Sequence, residues 1–276
     1  GGLDFLPDGR LAVCTRLGYL YLLENPGSDS PEEIRFQRFA EGLHEPLGLT
    51  SVEGDLVVLN KGELTRLRDT DGDDRADRFE NLSSAWGMSG NYHEYAYGPV
   101  RDAEGNLYVA LNISFPKGGP SSPVPYRGWV VRITPKGEFE PFCYGFRSPN
   151  GMGTNAEGDV FVTDNQGEWV PACPLYHIKK DRFYGHPVSI RWTQDALAKG
   201  LKPDKNYRAK RKRTLPAVWF PYDELCQSAT DIVCDISGGK FGPFEKQLFV
   251  GEMTKGLIAR VQLEKVNGNY QGACFL

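Results

Sequence analysis

No Cys-x-x-Cys or Cys-x-x-Cys-His spacing occurs among the six cysteines (Cys14, Cys143, Cys173, Cys226, Cys234, Cys274), which excludes zinc ribbons and covalent haem attachment. Their even number leaves two readings open: disulfides, with Cys226 and Cys234 nearest in sequence, or thiols buried in strands. No apolar run approaches the roughly 20 residues that a membrane-spanning helix needs. The positive surplus of a nucleic-acid binder is missing, because the net charge is −4. Helical periodicity is nearly absent, and Thr193 to Leu201 is the single candidate. Histidine is scarce at four residues, so each one bears on function. Glycine and proline are plentiful but show no period of three, which points to a turn-rich globular chain rather than collagen or disorder. Strand-like sequence begins at once after Gly1 and the chain stops at Cys274-Phe275-Leu276, so the expectation is a segment cut at both ends from a longer protein.

What is present is a repeated phrase. Pro7-Asp8-Gly9-Arg10-Leu11-Ala12-Val13 is echoed at Glu53-Gly54-Asp55-Leu56-Val57-Val58, Glu104-Gly105-Asn106-Leu107-Tyr108-Val109 and Glu157-Gly158-Asp159-Val160-Phe161-Val162, with a weaker copy over Phe244 to Val250. Each is an acidic-Gly turn feeding a short β-branched or aromatic strand, the pattern of a hairpin. A second strand follows four of the five copies, at Gly18 to Leu23, Glu63 to Arg68, Gly128 to Ile133 and Leu257 to Leu263. Multi-strand repeats of this length predict the blades of an all-β propeller. Five units are expected, at about 1–38, 39–86, 87–145, 146–190 and 217–276, in one propeller domain over 1–276 that has six blades in the parent protein. A basic insertion at about 191–216 interrupts the rhythm; Lys202 to Arg213 reads either as a solvated loop or as a docking surface for anions.

Four stretches could carry chemistry. In Asp69-Thr70-Asp71-Gly72-Asp73-Asp74-Arg75-Ala76-Asp77-Arg78-Phe79-Glu80, the residues Asp69, Asp71, Asp73, Asp77 and Glu80 have the spacing of an EF-hand calcium loop, although Asp74 stands where such loops have Gly. The other reading is an acidic hairpin. His93, in the Gly90-Asn91-Tyr92-His93-Glu94 stretch before a blade strand, could act as a general base oriented by Glu94, or could be hydrogen-bonded within a channel wall. Arg147 in the Arg147-Ser148-Pro149-Asn150-Gly151 turn could clamp a carboxylate. The corner Asp164-Asn165-Gln166-Gly167 offers oxygen donors suited to calcium, or simply caps a strand end. Lys255, in Gly251-Glu252-Met253-Thr254-Lys255-Gly256, lies at another strand end, as a cavity-facing cation or a surface salt bridge.

Taken together, GNYHEYAYGP, EGNLYVALN, YGFRSPNGM, GDVFVTDNQG, FYGHP and KGLIARV resemble the soluble glucose/sorbosone dehydrogenase superfamily, six-bladed propellers that hold pyrroloquinoline quinone (PQQ) with calcium. The nearer resemblance is to propeller domains of large secreted proteins of planctomycete-type bacteria, labelled as membrane-bound dehydrogenases. The resemblance implies oxidation of a sugar or polyol by PQQ, in the periplasm or outside the cell, with a c-type cytochrome as electron acceptor. It implies His93 as the base and Arg147, Ser148 and Lys255 at the cofactor, with Ser148 standing where the family has Asn. It further implies that Asp164, Asn165, Gln166 and Gly167 help bind the cofactor calcium. Arg147 to Asp164 is also similar to the calcium-dependent gluconolactonases, which would make Asn150 a metal ligand and the reaction lactone hydrolysis. A third reading is a non-catalytic propeller that binds a glycan or a protein.

Overall fold

The computed structural model describes residues 1–200 and 211–276, so most of the basic stretch from Lys202 lies outside the described residues. The chain forms five four-stranded antiparallel sheets, the blades of a β-propeller, each a meander in sequence order. The first comprises β1 (Gly2–Phe5), β2 (Leu11–Cys14), β3 (Leu20–Glu24) and β4 (Arg35–Ala40), and the second β5 (Gly48–Val52), β6 (Asp55–Leu59), β7 (Leu64–Arg68) and β8 (Arg78–Ser83). The third comprises β9 (Ala96–Arg101), β10 (Leu107–Leu111), β11 (Trp129–Ile133) and β12 (Phe139–Tyr144). The fourth is β13 (Gly151–Thr154), β14 (Val160–Thr163), β15 (Cys173–His177) and β16 (Val218–Phe220). The fifth is β17 (Ala229–Cys234), β18 (Leu248–Glu252), β19 (Leu257–Val266) and β20 (Asn269–Phe275). The chain divides into two compact units, one of 1–87 with 95–99 and one of 88–94 with 100–276.

The repeated acidic-Gly phrase sets the first hairpin of four blades. Gly9, Gly54, Gly105 and Gly158 take φ of 88°, 90°, 84° and 84°, a left-handed conformation that side chains resist. The apolar strand that follows each turn is the second of its blade and supplies the core. β10 and β14 are buried along their whole length. Blades pack face to face within each unit. Leu20, Leu22, Leu56 and Val58 join the first two; Tyr108, Phe142, Val160 and Tyr176 join the third and fourth; Phe161, Leu175, Leu248 and Val250 join the fourth and fifth. First strands approach closely: a Cβ on Gly151 of β13 would fall 1.8 Å from the Thr230 carbonyl oxygen of β17.

Two boundaries differ from the sequence reading. Val218–Phe220 completes the fourth blade by pairing with β15, so the fifth begins at Ala229 rather than at 217. The long excursion therefore sits between the third and fourth strands of one blade. Its only α-helix among the described residues is α1 (Gln194–Lys199), within the one segment expected to be helical. Cys226 is not joined to Cys234; its thiol meets that of Cys173 in the core, and all six cysteines are free thiols. On the fifth blade, the face opposite this core is apolar and open, with Val233 64 % and Ile258 62 % exposed beside Phe249 and Phe241 in a groove of about 540 Å³. No helix among the described residues is long and apolar enough to cross a membrane.

Candidate functional site

The turn before β9 places His93 beside the third blade. Its backbone N–H is held by Asn91 Oδ1 at 3.1 Å, and the same oxygen accepts from the Phe115 N–H at 3.3 Å. His93 Nδ1 lies 3.0 Å from the Ile113 carbonyl oxygen. A carbonyl only accepts, so Nδ1 carries a proton, and the neutral form of the ring has its lone pair on Nε2. The Phe115 ring packs edge-on against the imidazole at 4.4 Å between centroids.

Glu94 does not orient His93, contrary to the sequence expectation. Neighbouring residues diverge, and Glu94 turns into the core, where it accepts from the Ser89 N–H (2.6 Å), the Ser89 hydroxyl (2.7 Å) and the Ser114 hydroxyl. It also faces Arg127, a fully buried guanidinium that burial pulls down to about 10 while the Glu94 charge pushes the other way. Glu94, held by Ser89 and Ser114, directly follows His93 in sequence.

A backbone ladder joins His93 to the next blade. The Ile113 N–H donates to the Arg147 carbonyl (3.1 Å), and the Arg147 N–H donates to Asp164 Oδ2 (2.8 Å). Asp164 is buried at the end of β14 and also accepts from the Ser148 N–H (2.7 Å) and the Asn165 N–H (2.9 Å). Burial lifts its carboxyl to about 6 against the pull of these three donors. Asp164 therefore fixes the Arg147-Ser148 turn against its own corner.

The Arg147 side chain is set on three sides. Its Cζ lies 4.6 Å from the Phe115 centroid, and Nε donates to Glu168 Oε2 at 3.1 Å. A Cβ on Gly167 would lie 2.3 Å from Arg147 Cδ and Nε, so the chain passes directly over this glycine. Ser148 Oγ is 3.4 Å from Arg147 Nη1. Behind Glu168 stands His186, almost fully buried, with Nε2 3.9 Å from Oε2.

A family model described as a domain of unknown function (DUF7133) matches residues 17–273. The chain belongs to this family. No curated protein matches it by sequence. Solved structures share the fold of this DUF7133 chain at low identity. One is a glucose dehydrogenase, 17 % identical at a TM-score of 0.68, covering 100 % of this chain and 85 % of its own. Another is the PQQ-bound aldose sugar dehydrogenase of Streptomyces coelicolor, 15 % identical at 0.65, covering 99 % and 80 %. The soluble aldose sugar dehydrogenase of Escherichia coli, in its apo form, is 16 % identical at 0.65, covering 99 % and 84 %.

Of the residues singled out in the DUF7133 sequence, the structure thus brings His93, Arg147, Ser148, Asp164, Asn165 and Gly167 into one connected set. Gln166 belongs to the same corner, but its side-chain oxygen faces the Cys173 thiol at 3.9 Å. Lys255 sits on the β18–β19 turn, where Nζ is 3.4 Å from Asp223 and its N–H is capped by Glu252. In the acidic loop, only Asp69, Asp71 and Asp77 bring oxygens within 4.8 Å of one another. Asp73 is not in the cluster; its Oδ1 caps the Arg75 N–H. Glu80 is not there either, because it lies on β8 and pairs with Arg78 at 2.5 Å. Asp74 takes φ 61°, so the position usually held by Gly adopts the left-handed turn without one.

Phe115, Glu168 and His186 were missed in the sequence. Glu168 had a usable signal, since it directly follows the Asp164 to Gly167 corner. His186 is one of the four histidines, in the Tyr184-Gly185-His186-Pro187 turn. Phe115 had none.

Proposed function

We propose that this chain is a PQQ-type oxidoreductase that oxidises a hydroxyl of a sugar or polyol, with His93 as general base. The observation that carries the reading is the bond from His93 Nδ1–H to the Ile113 carbonyl, which leaves the basic lone pair on Nε2. The fold held in common with sugar dehydrogenases, one of them PQQ-bound, supports it.

The residues fit such a cofactor. Arg147 presents a pre-set guanidinium suited to a carboxylate or quinone oxygen, with the Ser148 hydroxyl beside it. Asn165 Oδ1 is buried and accepts no hydrogen bond, a hard oxygen next to the Gln166 and Gly167 backbone of the kind calcium takes. When bound, PQQ supplies the two-electron oxidant that accepts hydride. His93 Nε2 takes the hydroxyl proton. The Ile113 carbonyl holds the ring in place and favours the imidazolium as it forms. Phe115 shields one side of the imidazole from water. In this reading the chain works in the periplasm or outside the cell and passes electrons to a c-type cytochrome.

The test is dye-linked oxidation of a sugar panel with PQQ and calcium chloride. The expected result is activity that depends on PQQ and falls about 10²- to 10⁴-fold in His93→Ala. Hydrolysis of a sugar lactone without PQQ, lost in Asn150→Ala, would instead support the lactonase reading. Silence in both assays would leave a binding propeller.

A further inference from the structure

Arg147 is the best-placed cation of the site, yet its guanidinium already has a carboxylate. The Phe115 ring covers one side at 4.6 Å, the Gly167 backbone lies along its stem, and Glu168 Oε2 is 3.1 Å from Nε. The two partners differ in exposure. The Arg147 side chain is 24 % exposed and that of Glu168 is 48 %. The guanidinium is thus fixed by ring and backbone, while the carboxylate stands at the rim and swings away at small cost, since a half-exposed pair contributes little. Ser148 Oγ marks a second polar contact at the other end of the fork, 3.4 Å from Nη1. A planar ligand carboxylate bound side-on to Nε and Nη2 gains a bidentate contact where Glu168 makes a single one, at Nε.

We propose that Glu168 is an internal counter-ion that masks Arg147, so that a carboxylate-bearing ligand enters this site by exchanging with it. Glu168 then sets a threshold against weak monoanions, because like charge at the rim repels any acid that does not displace it. The identity of the entering ligand as PQQ rests on the function proposed above; the masking itself does not.

Two measurements separate the two claims. The first is peptide-resolved labelling of Arg147 by phenylglyoxal, followed by mass spectrometry, in the wild type, Glu168→Gln and Glu168→Ala. Both variants are expected to label at least severalfold faster. An unchanged or slower rate overturns the masking. The second is PQQ titration at fixed calcium chloride, read by quenching of tryptophan fluorescence. Glu168→Gln is expected to bind about threefold to tenfold tighter than the wild type. Equal or weaker binding of PQQ by the variant also overturns the proposal, because Glu168 then helps hold the ligand. If no protein binds PQQ while labelling accelerates, the masking stands and the quinone reading falls.

Discussion

Replacing Glu94 by Gln tests the ground on which His93 rests. Glu94 is fully buried, accepts three hydrogen bonds from Ser89 and Ser114, and is the charge that favours ionised Arg127 in a fully buried setting. Neutralising it removes the negative charge that acts on this guanidinium in low dielectric, and losing the counter-charge of a buried cation costs up to about 3–5 kcal/mol. Gln keeps an acceptor at Oε1 for the two hydroxyls, but its NH2 then faces the Ser89 N–H, so one hydrogen bond is lost together with the charge. For a chain of 276 residues, at about 2–4 °C per kcal/mol, Tm should drop by roughly 6–20 °C. Urea unfolding followed by circular dichroism measures the same quantity as a shift in midpoint at constant slope. The double variant Glu94→Gln with Arg127→Met removes the remaining buried charge and should recover a large part of the loss. A Glu94→Gln protein within about 1 kcal/mol of the wild type, or a double variant no better than the single one, would refute this reasoning. Glu94 would then be hydrogen-bonded scaffolding rather than the counter-charge of Arg127.

Other perturbations separate the parts of the structure. Gly167→Ala puts a Cβ 2.3 Å from Arg147 Cδ and Nε, so the guanidinium must leave Phe115 and Glu168; a loss of about 1–2 kcal/mol in stability is expected, with PQQ affinity falling as well, and an unchanged titration would show that Arg147 is not the anchor. His177 lies at the contact of the fourth and fifth blades, against Phe161 and Tyr270, and burial lowers its imidazole to about 4 although Asp159 works to raise it. The folded protein therefore resists the proton that the unfolded chain binds below about 6.5. This contribution is full above pH 6.5 and is lost as pH falls toward 4, up to about 3 kcal/mol; His177→Gln should flatten ΔG of unfolding over that window, measured by urea titration at several pH values.

Much of the fold was legible because its signal is local. An acidic-Gly turn followed by β-branched residues needs no partner to be recognised, and all four glycines of the strong copies take the conformation that the pattern requires. The blade boundary at β16 was not legible. Its three residues, Val218-Trp219-Phe220, are too few to show a period, and the strand they join, β15, lies on the far side of the long excursion. The acidic loop shows the same limit from the other direction. Spacing placed five carboxylates on one ligand list, but hydrogen bonds to Arg75 and an ion pair with Arg78 draw two of them away.

The site was legible where side-chain identity matters and illegible where the backbone acts. His93, Arg147 and Asp164 stand out in the sequence because few residue types can fill the roles proposed for them. What binds them together is a run of main-chain groups: Nδ1–H of His93 to the Ile113 carbonyl, the Ile113 N–H to the Arg147 carbonyl, and the Arg147 N–H to Asp164. Any residue supplies a carbonyl, so Ile113 carries no mark of its role, and its own side chain is buried in the core. The same reasoning explains why Glu94 misled. Adjacency in sequence suggested a carboxylate to orient the imidazole, whereas the turn before β9 sends the two side chains apart and a peptide oxygen twenty residues later orients it instead. A neutral carbonyl in place of a carboxylate has a chemical consequence: it fixes the tautomer without adding negative charge next to the ring. If His93 is the base proposed above, the imidazolium formed on proton transfer would gain only a dipole for support, where a carboxylate would offer a full charge.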